Sequence, residues 1–225
     1  MSSLATSSLL RRDETVQVAL LLALAGGYLD AYTWIVHGVM ANAQTANLVL
    51  LWVYGSAGNW ARALDFVPPL IAFAAGVLIA AWLRRVAGER TGAISTLLEM
   101  ALLIVIGIVH NRLPDLAGTI GISLVAAMQT AAFNRVEGVA YSSVMATGNL
   151  RQAIEGAFGA VYERGSSGEL RRAGVFAAVC AAFGTGAAIG AFTTKQIPNL
   201  ALGLPVVILL IVLLRCDRRG DETRP

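Results

Sequence analysis

Two short polar stretches interrupt an otherwise apolar sequence. The first contains Gln44, Thr45 and Asn47, and the second contains Thr147 and Asn149. Thr45 and Thr147 stand 102 residues apart, and each is followed by a small residue, an asparagine and a leucine. Amide and hydroxyl side chains bind polar groups of a solute, and they also accept backbone N–H groups at helix starts. The pattern predicts two halves of a solute-binding site, with capping and interhelical hydrogen bonding as the alternative.

Two acidic residues also stand inside apolar windows. Asp30 lies about 21 Å along its window and Glu99 about 10 Å along its own, at 1.5 Å per residue. A carboxyl group within the bilayer is a functional site by default, because burying its charge is costly. Asp30 and Glu99 are therefore candidate proton-coupling groups, and at least one of them, with Asp30 the better candidate, is predicted to change protonation. The alternatives are a structural hydrogen bond from Asp30 to a neighbouring helix and pairing of Glu99 with Arg84, Arg85 or Arg90.

Nothing in the sequence indicates catalysis or metal binding. His37 and His110 are far apart, and the sequence has no His-Glu-x-x-His pattern. Cys180 and Cys216 have no metal-ligand spacing and are expected to be reduced thiols. No nucleophile, base and oxyanion donor stand at a recognisable spacing. We therefore predict no enzyme activity, no cofactor and no metal.

The composition indicates that these residues belong to a membrane protein. Of the 225 residues, 56% are hydrophobic and only 14% are charged, against about 25% charged in a soluble domain. The mean hydropathy is +0.67. Arginines beside apolar windows indicate topology rather than nucleic-acid binding. The predicted fold class is an all-α polytopic membrane protein whose partner is the lipid bilayer and which binds no nucleic acid.

Eight apolar windows can be distinguished, and they are of two kinds. Six are ordinary spans, whereas the second and the sixth contain the polar stretches. Pro205 is expected to kink the last window, and Gly186 and Gly190 form a GxxxG element expected to pack within one protomer. The windows are Val16–His37, Val39–Ala61, Phe66–Leu83, Gly92–Val109, Leu116–Asn134, Gly138–Leu150, Ala173–Thr194 and Gln196–Leu214.

The distribution of basic residues chooses between six and eight spans. If the two polar windows enter and leave on one side, all of the 17 Lys and Arg residues except Arg62, Arg112 and Lys195 lie on the side of the termini. If all eight windows cross, five basic residues fall outside, namely Arg84, Arg85, Arg90, Arg135 and Lys195. Because cytoplasmic flanks are enriched in Lys and Arg, we predict about six spans, two re-entrant segments and cytoplasmic termini.

The order of the windows repeats with the same 102-residue shift, which indicates an internal duplication. Three spans per copy insert the second copy upside down, so the repeats are predicted to be inverted. The predicted organisation is a cytoplasmic tail 1–15, a first repeat 16–110, a second repeat 111–215 and a cytoplasmic tail 216–225. Inverted repeats with interrupted segments are typical of transporters that bind solute at the midplane.

The motif Gly27-Tyr28-Leu29-Asp30-Ala31, followed by Ala41-Asn42-Ala43-Gln44-Thr45-Ala46-Asn47-Leu48 and later by Thr147-Gly148-Asn149-Leu150, resembles the YoaK-like bacterial membrane proteins. The resemblance extends from about Val16 to Leu214. In that family the first motif usually reads Gln-Thr-Gly-Asn, and Ala46 stands here where glycine is usual. The resemblance implies an inner-membrane protein of about six spans and unknown function, and it implies no substrate.

Together these features favour a transporter or permease for a small solute bound between the repeats. Helix N-termini carry partial positive charge, which slightly favours an anionic solute. Proton coupling through Asp30 or Glu99 would accompany a carrier mechanism. The alternative is a passive channel, which needs no titratable group, and a membrane enzyme is less favoured. The sequence leaves homo-oligomerisation open.

Overall fold

The computed structural model describes residues 14–109, 115–162 and 167–217. Nine α-helices, two short 3-10 helices at Gly88–Arg90 and Pro198–Leu200, and one short hairpin of strands are present in this part of the chain. Most of the predicted tails 1–15 and 216–225, and the boundary at residues 110 and 111, lie outside the described residues. The helices are α1 Val16–His37, α2 Gln44–Ser56, α3 Trp60–Leu64, α4 Val67–Ala87, α5 Thr91–Val109, α6 Asp115–Ala132, α7 Ala146–Tyr162, α8 Ser167–Gln196 and α9 Gly203–Asp217, and the strands are β1 Arg135–Val136 and β2 Val139–Ala140.

Four segments of the described chain are long and apolar enough to cross a bilayer. The longest of them contains both α4 and α5, and the shorter apolar segment Leu116–Ala132 falls within α6. The predicted fold class, an all-α polytopic membrane protein, is therefore confirmed. The four segments are Val16–His37, Trp60–Val109, Ser167–Gln196 and Pro198–Cys216.

Some helix limits differ from the predicted windows. The polar window Gly138–Leu150 is divided between β2, a connecting segment and α7, which continues to Tyr162. Helix α9 begins at Gly203, so Pro205 lies in its first turn, and the expected kink is wrong. Proline is tolerated there because the first helical N–H groups have no partner within the helix.

Helices α1 and α8 form the most extensive helix contact and run parallel. A Cβ at Gly186 would collide with the carbonyl oxygen of Leu24, and one at Gly190 would lie 2.6 Å from that of Tyr28. Only hydrogen fits between backbones this close, which confirms that the GxxxG element packs within one protomer. Helices α4 and α6 are also parallel, because Gly76 contacts Leu124 and Arg84 donates to the carbonyl of Ala131.

Helices α1 and α6 run antiparallel. The end of α1 meets the start of α6, where a Cβ at Gly118 would lie 3.2 Å from His37 Nε2. The start of α1 meets the segment after α6, where the Glu137 N–H donates to the Glu14 carbonyl at 2.7 Å. Glu137 also forms an ion pair with Arg171 at the start of α8. The start of α1, the end of α6 and the start of α8 therefore share one face, called here the Glu14 face.

Helices α2 and α7 each return to the side from which their preceding segment comes. Near the end of α2, Tyr54 stacks on Phe66, and Arg62 donates to the carbonyl of Gly38 at the end of α1. Helix α7 runs back along α8, because Gly156 contacts Ala173. The segment before α2 thus starts at the His37 end of α1, and α7 ends on the Glu14 face.

Candidate functional site

A cavity of about 970 Å³ lies between α1, α8 and the first turns of α2 and α7. Both predicted polar stretches contribute to its wall, although they are far apart in the sequence. The helices start at Gln44 and Ala146, which have the same 102-residue spacing as the two motifs. The two motifs therefore open two helices at one cavity.

The segment before α2 runs along α1, to which three hydrogen bonds join it. The Ala41 N–H donates to Thr33 Oγ1 at 3.0 Å, and the Asn42 N–H donates to Asp30 Oδ1 at 2.7 Å. Further along α1, Asn42 Nδ2 donates to the Gly26 carbonyl at 3.2 Å. These bonds satisfy backbone groups that would otherwise be unpaired in an apolar surrounding.

The segment before α7 reaches the same glycine. A Cβ at Gly26 would lie 2.9 Å from Val144 Cγ1 and 3.1 Å from the Ser143 carbonyl oxygen. Gly26 stands about 15 Å along α1 at 1.5 Å per residue, close to the middle of that helix. The two segments therefore meet halfway along α1, and the missing side chain of Gly26 leaves room for the second one.

The two motif asparagines make the same pair of hydrogen bonds. Asn47 Nδ2 donates to the Met40 carbonyl at 2.7 Å, and Asn47 Oδ1 accepts from the Met40 N–H at 3.2 Å. Asn149 Nδ2 donates to the Ser142 carbonyl at 2.6 Å, and its Oδ1 accepts from the Ser142 N–H at 3.4 Å. Each amide therefore acts like a strand partner that fixes the segment before its own helix.

Asp30 is the acidic residue in the cavity wall. Its side chain is 7% exposed, and it lies beside the backbone just before the start of α2. A carboxylate at a helix start is favoured by the unpaired N–H groups and by the helix dipole. No side chain of α2 itself caps that helix at Ala43. Asp30 on α1 thus supplies the charge that faces the N-terminus of α2.

Glu99 is buried elsewhere, between α5 and α6. In the amide orientation that satisfies both residues, the side-chain nitrogen of Gln129 lies 2.8 Å from each carboxylate oxygen of Glu99. The other amide atom of Gln129 lies 3.5 Å from Ser143 Oγ. The contact of Glu99 is therefore an amide rather than one of the arginines considered above. Through Gln129 it is linked to the segment that precedes α7.

Some of the predicted site residues line the cavity and others do not. Asn47 is fully buried behind the wall, and Glu99 is also fully buried and does not line the cavity. The wall contains the predicted residues Asp30, Gln44, Thr45, Thr147 and Asn149. Sequence reasoning did not single out the wall residues Trp34, Asn42, Tyr141, Gln152 and Phe183.

A signal for some of the missed residues existed in the sequence. Asn42 stands within the first motif, and Tyr141 opens the second polar stretch. Trp34 and Phe183 carry no such signal, because an aromatic residue in a membrane helix usually faces lipid or another helix. In the described part of the chain, no group of three metal-ligating side chains is present, and neither Cys180 nor Cys216 forms a disulfide.

Comparison with known proteins identifies the family but no described activity. A family model with the description "Protein of unknown function (DUF1275)" matches residues 18–215. No curated protein and no solved structure matches the chain. The matched range includes the central glycine, both polar motifs and the whole cavity wall. The chain therefore belongs to the DUF1275 family of proteins of unknown function.

Proposed function

We propose that this protein is a transporter for a small solute in the bacterial inner membrane and that the cavity at Gly26 is its solute site. One observation carries the proposal. The first turns of two helices that start halfway along α1 line the same cavity, together with an intramembrane carboxyl group. Non-helical backbone at that depth is tolerated where it lines a cavity or is buried in protein, and such broken segments form the solute sites of many transporters.

The directions of the helices support six spans. If α2 and α7 also crossed the bilayer, three helices would cross between α1 and α6, and those two helices would be parallel. The contacts of His37 with Gly118 and of Glu14 with Glu137 require them to be antiparallel. Helices α1, α4, α5, α6, α8 and α9 are then the spans, and α2 and α7 are re-entrant, as the basic residues also indicate.

The helix contacts support two inverted repeats. Under the 102-residue shift, α1, α2, α4 and α5 correspond to α6, α7, α8 and α9. The parallel pair α1 and α8 thus corresponds to the parallel pair α6 and α4, and the Asn47 and Asn149 hydrogen bonds correspond as well. Because α1 and α6 are antiparallel, the two repeats would be inserted in opposite orientations.

This arrangement suits alternating access. The segment before α2 enters from the His37 end of α1, and the segment before α7 enters from the Glu14 face. Movement of one segment at a time would open the cavity to one side while the other segment stays closed against Gly26. Two carboxyl groups would couple this movement to protons. Asp30 lies in the cavity wall, and Glu99 is linked to the second segment through Gln129.

Cysteine accessibility tests the proposal. Thr45→Cys and Thr147→Cys line the cavity, and Ile71→Cys on the outer surface of α4 is the matched control, each in a background with Cys180 and Cys216 replaced by serine. We expect a membrane-impermeant thiosulfonate reagent to label both cavity positions in vesicles, each from one face at a time. The control position should react only with a lipid-soluble maleimide.

Two results would contradict the proposal in different ways. If neither cavity cysteine reacts with the impermeant reagent, the cavity faces lipid, and a transport site there is wrong. If both react from both faces simultaneously, the site is a continuously open pore, and the passive channel replaces the transporter.

A further inference from the structure

We propose that the cavity recognises a protonated amine with an apolar body, held by Asp30 and Asn42 and packed against aromatic side chains. The inference rests on the proposed solute site and names the chemical class of its solute. It replaces the anionic solute that helix dipoles alone would favour. The charge, hydrogen-bonding capacity and wall of the cavity each point to this class.

The charge of the wall is negative. Among the described residues that line the cavity, Asp30 is the one acid, and none is lysine, arginine or histidine. Tyr141 is the other ionisable side chain in the wall. An anionic solute would find no cationic side chain and would stand beside a carboxylate, whereas a cation would neutralise it. Burying an unpaired charge is costly, so the solute that carries the opposite charge is favoured.

The N-termini of the two broken helices do not reverse this argument. Asp30 already faces the N-terminus of α2, so its positive end is compensated before a solute binds. Only the N-terminus of α7 is left, and its first turn contains no acidic residue. Each helix end carries about half a positive charge, so the two ends together offset the carboxylate. An anion is still disfavoured, because none of the described wall residues is a cationic side chain that could pair with it.

Asn42 supplies an acceptor with no partner. Its side chain is 1% exposed, and its Oδ1 atom has no hydrogen-bond partner among the described residues. Its Nδ2 atom donates to the Gly26 carbonyl, which fixes the orientation of the amide. A buried acceptor left unsatisfied costs about 1–3 kcal/mol. Asn42 lines the cavity, but its Oδ1 atom is closed to water in this structure, so the donor of the solute reaches it when the segment before α2 moves.

A protonated amine satisfies both acceptors at once. Asp30 accepts from the backbone N–H groups of Asn42 and Ala43 and from the Asn42 side chain, and a carboxylate has about four acceptor positions, so one position remains for the solute. An ammonium group with several N–H bonds can donate to the carboxylate and to Asn42 Oδ1 together. A quaternary ammonium carries the charge but has no N–H to donate, so it would leave Asn42 unsatisfied.

The rest of the wall suits an apolar body. Trp34, Tyr141 and Phe183 contribute aromatic surface, which also attracts cations over the ring face. At two positions the second repeat has apolar residues where the first has amides, although Tyr141, Ser142, Thr147, Asn149 and Gln152 also line the cavity. The positions that correspond to Asn42 and Gln44 under the 102-residue shift are Val144 and Ala146, and both line the cavity. The amine would therefore lie toward the first repeat and the apolar body toward the second.

Binding at Asp30 also implies exchange with a proton. When Asp30 is protonated, the incoming ammonium takes the place of that proton, which leaves the carboxyl oxygen and enters the solution. One positive charge enters and one leaves, so the charge in the cavity is conserved. A carboxyl group that holds either a proton or the amine, but not both, gives proton-coupled exchange without any further titratable group.

Calorimetric titration of the purified full chain with matched probes tests the assignment. The probes are 2-phenylethylamine, its N,N,N-trimethyl derivative, the neutral 3-phenylpropanol and the anionic 3-phenylpropionate. We expect the amine to bind most tightly, with each of the others weaker by about tenfold or more, the size of a hydrogen bond to a charged group. Amine affinity should fall from about pH 8 to about pH 5.5, a range in which an alkylamine stays protonated.

Two variants test the roles of Asp30 and Asn42 in binding the amine. Asp30→Asn keeps an oxygen for the Asn42 N–H but removes the charge, and it should lower amine affinity about tenfold or more and abolish the pH dependence. Asn42→Leu should bring the amine and its trimethyl derivative to similar affinity. Glu155→Gln is the matched control, because this acid on α7 is exposed, pairs with Arg151 and does not line the cavity. It should bind as the wild type does.

The outcomes separate this inference from the transport proposal. Tighter binding of the propionate, or failure of the amine to bind the wild type, overturns the inference and leaves the cysteine experiment to decide on transport. Equal binding of the amine by wild type and Asp30→Asn overturns it as well. Selective amine binding supports it even if the cavity cysteines resist the impermeant reagent, and in that case transport alone is wrong.

Discussion

Replacing Asn47 by alanine removes the side chain that fixes the segment before α2. Asn47 is fully buried and makes three hydrogen bonds. Two of them join its amide to the N–H and carbonyl of Met40, and the third runs from Nδ2 to Gln44 Oε1 at 3.0 Å. The variant therefore leaves two backbone groups and one amide oxygen without their partner.

The expected loss of stability follows from the number of polar groups that are left without a hydrogen-bond partner. Each buried polar group left unsatisfied costs about 1–3 kcal/mol. Because Met40 itself is half-buried, its groups fall toward the lower end of that range, and we expect Asn47→Ala to lose about 2–4 kcal/mol of unfolding free energy. Asn149→Ala orphans two groups of Ser142 and should lose slightly less. An ordinary helix cap is worth about 1 kcal/mol.

Asn59 provides a matched control of the same residue type. It caps the five-residue helix α3 by accepting the Arg62 N–H at 3.2 Å, in an exposed setting. Unfolding in mixed micelles with increasing denaturing detergent, followed by tryptophan fluorescence, should rank the three variants. We expect Asn47→Ala to be the least stable, Asn149→Ala to follow, and Asn59→Ala to lose no more than about 1 kcal/mol.

The result that refutes this reasoning is equal stability of Asn47→Ala and Asn59→Ala. The amide would then contribute no more than a surface cap, and the hydrogen bonds to Met40 would not hold the segment. A large loss in Asn47→Ala together with none in Asn149→Ala would instead contradict the correspondence between the two repeats.

The remaining predictions concern packing, topology and Glu99. Gly27→Ala should abolish folding or lower the unfolding free energy by several kcal/mol, because the added Cβ would collide with the Phe183 carbonyl. Gly148→Ala, whose Cβ would have nothing within 4 Å, should stay within about 0.5 kcal/mol of the wild type. Thermal unfolding in detergent measures both. Cysteines at Glu89 and Glu169 should react with an impermeant maleimide from the same face, and labelling from opposite faces would support eight spans. Glu99→Gln should fold, since two amides can pair, but Glu99→Leu should lose about 1–3 kcal/mol by leaving Gln129 unsatisfied; equal stability of the two variants would contradict that contact.

The helix starts could be predicted from the sequence because their signal is local. The polar motifs interrupt apolar windows at one spacing, and the structure begins α2 and α7 at Gln44 and Ala146, each one residue before its motif threonine. The GxxxG contact of Gly186 and Gly190 was also predictable, because small residues one turn apart allow close approach of helices. In each case, residues within two turns of each other carry the information.

The roles of individual side chains were not predictable in the same way. Asn47 and Asn149 stand at equivalent positions, yet Asn149 lines the cavity and Asn47 is buried behind it. Asp30 was expected either as a coupling group or as a hydrogen-bond partner of a neighbouring helix. It lies in the wall and also accepts a backbone N–H from the segment before α2. Such contacts depend on how two elements meet, and the spacing along one of them does not determine that.

Gly26 shows why the point at which the two segments meet could not be predicted from the sequence. The pair Gly26 and Gly27 indicates that another element can approach α1 closely, but the contact of Gly26 with Ser143 and Val144 joins residues more than 100 positions apart in the chain. The carbonyl of Gly26 accepts from the first segment, and the space left by its missing side chain takes the second. A glycine in a membrane helix is common, so its type alone does not predict which element approaches it.

The two polar stretches make the same hydrogen bonds to the backbone and differ in the residues that they contribute to the cavity wall. Asn47 and Asn149 still fix corresponding residues, because losing either would orphan buried backbone groups whatever the solute is. Asn42 and Gln44, whose amides donate to the carbonyls of Gly26 and Ala41, stand where the second stretch has Val144 and Ala146. A symmetric solute would make the same contacts with both stretches. The difference between the stretches therefore favours a solute with one polar and one apolar end, which is the amphipathic class that the charge of Asp30 also favours.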